Sequence, residues 1–175
     1  MAVMIRKLAA FLFFAAFITL TGEASAVNTI RRPGLHPNYV FEAEPHLVVG
    51  YDVPGGRGSG GFDHGFGPGF RGTIELVDNG FVKTINNTVG IGFGVDWLSP
   101  FDHNVFWVPV VMQWNFWLSD KWSVFGEPGG GIYFGKASGV RPAFYAGGRF
   151  HFSDSVALTL RVGYPNVAVG VSFLL

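Results

Sequence analysis

The sequence predicts an all-β fold, a closed, antiparallel, up-and-down transmembrane β-barrel of about eight strands. Three observations predict it. Side-chain chemistry alternates with a period of two from Tyr39 onward, the breaks between the alternating runs are turn-forming, and no lysine falls in the interior of a run. The composition agrees: 175 residues with 49% hydrophobic, 17% aromatic and only 14% charged content, 26 glycines and no cysteine. Without cysteine the fold cannot be a disulfide scaffold, so its stability must come from strand pairing and packing.

The first 26 residues are read apart from the fold. Arg6 and Lys7 precede an apolar run of 13 residues, Leu8 to Leu20, and Ala24-Ser25-Ala26 supplies small residues for cleavage. This is the pattern of a secretory signal peptide, and the run is short of the roughly 20 residues a spanning helix needs. Residues 27–38 are then expected to form a periplasmic N-terminal segment and residues 39–175 the barrel. Setting aside Arg6, Lys7 and Glu23, the remainder keeps ten Lys+Arg against eleven Asp+Glu. That balance leaves no nucleic-acid footprint.

The first strand is read from "YVFEAEPHLVVGYD". Tyr39, Phe41, Ala43, Pro45, Leu47, Val49 and Tyr51 share one face, and Glu42, Glu44, His46, Gly50 and Asp52 the other. "NTVGIGFGVDWL" repeats the scheme, with Val89, Ile91, Phe93, Val95 and Trp97 opposite Thr88, Gly90, Gly92, Gly94 and Asp96. Further runs occupy about 62–77, 104–118, 121–134, 140–152, 155–164 and 166–175. Between them lie "DVPGGRGSGG", "LSDKW", "FSDSV" and "YPN", all turn chemistry.

Alternation separates two faces without saying which one is inside. A soluble barrel puts charge outward, whereas a membrane barrel turns it inward. Lys83, Lys121 and Lys136, the three lysines after residue 26, all fall in turns, and a water-facing strand surface would carry some. The run Phe106, Val108, Val110, Met112, Trp114, Phe116, Leu118 is therefore expected to face lipid. Tyr39, Tyr51, Trp97, Trp122 and Tyr164, near the run ends, are expected to form the aromatic girdle at the bilayer interfaces. Gly90, Gly92, Gly94, Gly129, Gly131 and Gly147 then suit a crowded lumen, because eight strands leave an interior just wide enough to be filled by side chains. In that lumen Glu42, Glu44, Glu75, Asp96 and Glu127 are expected to meet Arg71, Arg141, Arg149 and Arg161, with His46 and His151 as further partners.

The signal peptide, the "LSDKW" and "FSDSVALTLRVGY" phrases and the alternating end "NVAVGVSFLL" resemble small outer-membrane β-barrel proteins of Gram-negative bacteria, the OmpA/OmpX/OmpW-like class. The resemblance implies residence in the outer membrane, contact with its lipids and lipopolysaccharide, and insertion by the barrel-assembly machinery. It also implies that the N-terminus and the even-numbered turns are periplasmic. The expected role is structural or interactive, without a cofactor, a bound metal or a general pore. Two alternatives stay open: a lipid A deacylase-like enzyme and a soluble exported ligand-binding barrel.

Four motifs bear on those alternatives. "GGIYFGKAS" places Gly130, Gly135 and Lys136 as a phosphate loop would, but Ala137 replaces the magnesium-binding hydroxyl and another alternating run follows, where a helix is required. His151 and Ser153, two residues apart, resemble the His and Ser of lipid A deacylases. A triad needs an acid, however, and no Asp or Glu follows Asp154. Asp63-His64 and Asp102-His103 could converge on a divalent cation but read more simply as solvated loop residues. Asn86-Asn87-Thr88 matches a glycosylation sequon that means little at the start of a strand.

Overall fold

The computed structural model describes residues 28–53, 63–99, 104–135 and 138–175. The expected leader over 1–26, the tip of the glycine-rich connection, the Asp63 side chain, the Asp102-His103 pair and Lys136-Ala137 lie outside the described residues.

Eight strands form one closed barrel: β1 (Phe41–Val53), β2 (Asp63–Val77), β3 (Asn87–Leu98), β4 (Val105–Trp117), β5 (Trp122–Phe134), β6 (Gly139–Ser153), β7 (Val156–Tyr164) and β8 (Asn166–Leu174). Each pairs antiparallel with its sequence neighbour, and β8 closes on β1 from Glu42↔Leu174 to Gly50↔Asn166. Closure removes the sheet edge, so every strand has hydrogen-bonding partners on both sides. Even the shortest strands, at nine residues, reach the roughly 9–11 that a tilted strand needs to cross hydrocarbon.

The polarity of the barrel is inverted relative to a soluble protein. Leu47, Val49, Phe66, Ile91, Phe93, Val110, Ile132 and Val169 are exposed on the outside, while Glu42, Glu44, Glu127, Arg71, Arg149 and Arg161 are all at most 1% exposed. Along β1 the alternation is almost complete: Glu42, Glu44, His46, Val48 and Gly50 are buried, and Pro45, Leu47, Val49 and Tyr51 are exposed. Lys83 and Lys121, the two lysines among the described residues, lie in connections.

The ends of the barrel are packed differently from its middle. At the end away from the chain termini, Val48, Val53, Leu98, Val105, Trp107, Val111, Ala143, Tyr145 and Ala168 form an apolar cluster inside the lumen. Trp107 Nε1 donates to Tyr145 Oη at 3.0 Å, which satisfies the buried indole. Gly131 leaves room for Trp107: a Cβ there would lie 2.5 Å from the indole ring, whereas at outward-facing Gly130 the nearest atom would be 3.4 Å away. Gly131→Ala should therefore cost about 1–3 kcal/mol and Gly130→Ala very little. Chemical unfolding of both variants in micelles checks the difference.

At the terminal end, Tyr39, Trp117 and Leu174 form a second buried cluster. The segment before β1 crosses beneath it. Thr29 N–H donates to Leu118 O at 3.1 Å, Asn86 N–H to Ile30 O at 2.8 Å, and Asn86 Nδ2 to Leu35 O at 2.7 Å. His36 stacks on Trp117, with ring centroids 5.3 Å apart.

Two expectations are corrected here. Tyr39 is no girdle residue: it precedes β1, is buried, and packs edge-on against Trp117 at 6.4 Å. Burial pushes its phenol pKa up, so it stays a neutral hydroxyl. Val89 has the parity of the lipid face but is only 5% exposed, because the 78–86 connection folds back over it and brings Gly80 against its side chain. The other girdle residues lie on the outward parity. Tyr51 Oη donates to Gly163 O at 2.7 Å, Trp97 Nε1 to Asn104 Oδ1 at 3.2 Å, Tyr164 Oη to Asp52 Oδ2 at 2.5 Å, and Trp122 packs on Phe150 at 5.0 Å.

Candidate functional site in the lumen

The middle of the lumen is a layer of ion pairs. Arg161 on β7 donates to Glu44 on β1 at 2.6 and 3.0 Å and to Glu127 on β5 at 2.8 and 3.2 Å. One planar guanidinium thus gives two carboxylates from different strands four hydrogen bonds, one more than the three donors of an ammonium could supply singly. Arg149 on β6 holds Glu42 with a two-pronged contact at 3.0 and 2.8 Å and donates to Asn115 at 3.0 Å. Phe125 sits against both guanidinium groups, 4.3 Å from Arg149 and 5.2 Å from Arg161.

A second group centres on Asp96. His46 Nε2 lies 2.8 Å from Asp96 Oδ1, Asn166 Nδ2 donates to Oδ2 at 3.0 Å, and Arg71 stands 3.6 Å away. Arg71 makes no hydrogen bond through its buried nitrogens among the described residues, and its guanidinium lies over Tyr145 at 5.4 Å. Neutral groups fill the remaining valences: Gln113 donates to Glu127 at 3.0 Å, and Thr159 and Ser172 share a bond of 2.6 Å beside Glu44.

Seven of the nine residues expected in one charge network share this layer. Arg141 and Glu75 do not. Arg141 lies near the end of the barrel away from the termini, where it bonds Asp52 at 2.8 Å and Tyr164 at 3.2 Å with 30% of its side chain exposed. Glu75 lies at the terminal end near Tyr39, His36 and Asp78. Both have inward parity, but each sits near the end of its strand, so the pairing registers carry it past the ionised layer. Gln113, Asn115, Asn166 and Phe125 were not singled out from sequence, although their inward parity was the available signal.

His151 is buried, with Nε2 2.9 Å from Ser123 Oγ and its ring 5.0 Å from Trp117. Its Nδ1 has no hydrogen-bond partner among the described residues, so no acid orients it. Ser153, expected as its catalytic companion in the deacylase-like alternative, is exposed at the rim and accepts a bond from Ser155 N–H at 3.3 Å. The phosphate-loop reading fails on geometry: Gly130 is inside β5, paired with Pro142 and Val110, and a strand follows.

At the terminal end, His36 Nδ1 lies 2.9 Å from Asn86 Oδ1 and Nε2 3.0 Å from Asp78 Oδ1. Burial lowers the His36 pKa, and the Asp78 charge opposes that shift.

An eight-stranded sheet closed on itself, with an apolar wall and ion pairs inside, belongs to the membrane-spanning class of β-barrels. No protein-family model matches the sequence, nor does any curated protein. Among solved structures, a designed transmembrane β-barrel is 15% identical, with 83% of this chain and 99% of that one covered and a TM-score of 0.49. Ail, the attachment invasion locus protein of Yersinia pestis, is 14% identical in its crystal structure, covering 77% of this chain and 95% of that one with a TM-score of 0.45. Its backbone structure in a phospholipid bilayer nanodisc is also 14% identical, covering 79% and 100% of the two chains with a TM-score of 0.48.

Proposed function

We propose that this protein is an integral barrel of the outer membrane with a structural or interaction role, closed along its axis and without catalytic activity. The observation that carries the reading is the filling of the lumen in three layers: Trp117 and Tyr39 at the terminal end, the arginine–carboxylate pairs in the middle, and Trp107 with Tyr145 at the far end. A general pore needs a continuous aqueous path, and these layers stand across it. Its partners are then the acyl chains and lipopolysaccharide around its wall and, during insertion, the assembly machinery. The leader-like residues 1–26 support export.

The chain without residues 1–26, reconstituted in planar lipid bilayers, should show no steady conductance steps of porin size. Regular ohmic steps of that size would end the proposal of a closed lumen. Cell fractionation tests the location: recovery from a detergent-free soluble extract would contradict the outer-membrane assignment.

A further inference from the structure

The segment before β1 meets the barrel at a set of three metal-ligating side chains that the lumen network does not use. His36 comes from that segment, Glu75 from the end of β2, and Asp78 from the connection that follows. One nitrogen or oxygen of each lies within 4.8 Å of the others. Bonds of about 2.1 Å to a tetrahedral ion place neighbouring donors about 3.4 Å apart, so side-chain rotation of the two carboxylates is enough to close the set.

The orientation of His36 comes from outside this group. Asn86 spends its amide nitrogen on Leu35 O at 2.7 Å, so the atom it turns to His36 Nδ1 at 2.9 Å is its carbonyl oxygen, an acceptor. Nδ1 therefore carries the ring proton. In the neutral ring, Nε2 then presents a lone pair to Asp78 Oδ1, itself an acceptor, at 3.0 Å. Glu75 belongs to the same group, and its Oε2 is buried with no hydrogen-bond partner among the described residues. Three lone-pair atoms thus converge, and no Arg or Lys is paired with Glu75 or Asp78 among the described residues. A ring whose Nδ1–H is held by an amide oxygen and whose Nε2 faces carboxylates is oriented as a metal ligand.

We propose that His36, Glu75 and Asp78 bind a divalent transition-metal ion of the zinc type, which clasps the N-terminal segment across the terminal end of the barrel. One histidine with two carboxylates suits zinc and leaves a coordination position for water. The clasp joins the segment to β2, while the backbone bonds of Thr29 and Asn86 tie it to Leu118, just past β4, and to the β2–β3 connection.

The test uses the chain folded in detergent micelles, stripped with a chelator and titrated with zinc chloride by calorimetry, with cobalt(II) absorption as a second readout. One ion per chain should bind. Glu75→Gln and Asp78→Asn should each weaken binding by at least about 10-fold and alter the cobalt spectrum. Asp120→Asn and Asp154→Asn, which remove carboxylates outside the group, should leave both unchanged. Asp78 is exposed, so its loss should not disturb folding. Zinc should also slow amide exchange of Asn86, whose N–H bonds Ile30 O. Three results would each overturn the proposal: no stoichiometric binding, binding indifferent to both carboxylate variants, or nitrogen resonances showing His36 protonated on both nitrogens at neutral pH in zinc-loaded protein.

Discussion

Arg161→Met should lower the unfolding free energy by about 3–5 kcal/mol, more than removal of any arginine at a barrel end. The reason is what the change leaves behind. Arg161 is fully buried and supplies four of the hydrogen bonds received by Glu44 and Glu127. Without it, two carboxylates from β1 and β5 stay buried in the lumen with His46, Gln113 and Ser172 as their remaining nearby donors. Adding Glu44→Gln and Glu127→Gln to the same chain should recover most of the loss, because a neutral amide is far cheaper to bury than an unpaired charge. The control is Arg141→Met, whose ion pair with Asp52 is partly exposed and should be worth no more than about 1 kcal/mol. Denaturant midpoints in micelles, compared at constant m-value, measure all three. If Arg161→Met proves no costlier than Arg141→Met, the ion pairs do not hold the lumen.

The same comparison bears on what such pairs do. A buried pair is weak evidence for net stability, since desolvation offsets much of the attraction. What Arg161 and Arg149 add is geometric: they tie β7 to β1 and β5, and β6 to β1, across the lumen. A strand slipped by one residue turns its inward groups to lipid and separates these partners.

The strand positions and inward faces were legible because a period of two has one structural meaning, and β1 shows it in nearly every residue. Partner choice was not legible. Which carboxylate meets which arginine depends on the stagger around the closed sheet, and that stagger separates Arg141 and Glu75 from residues of the same parity on their own strands. The contents of the inner face of β4 were harder to read for another reason. Val105, Trp107, Pro109 and Val111 are as apolar as the outward residues between them, so the expected lipid face from Phe106 to Leu118 fixed the parity of the strand without marking Trp107 and Trp117 as lumen-filling residues. Tyr39 continued the pattern of β1 by one step past the strand. Its burial depends on the N-terminal segment crossing the barrel end, a contact with no periodic signature.

The largest effect on the outer wall should come from Val110→Lys. Val110 is in the middle of β4, paired with Phe93 and Gly130, and 56% exposed on the outside. In a bilayer that position lies far from either interface, and a cation there should cost about 2–4 kcal/mol. Leu76, 58% exposed near the end of β2, is the matched site: Leu76→Lys lets the ammonium reach the interface and should cost at most about 1 kcal/mol. Equal exposure with unequal cost is the signature of hydrocarbon, because water outside the barrel would make both substitutions nearly neutral. Folding equilibria in lipid vesicles compare the two. A Val110→Lys chain as stable as its parent would mean that water, and not lipid, surrounds the wall, and the absence of lysine from the strands would then need another cause.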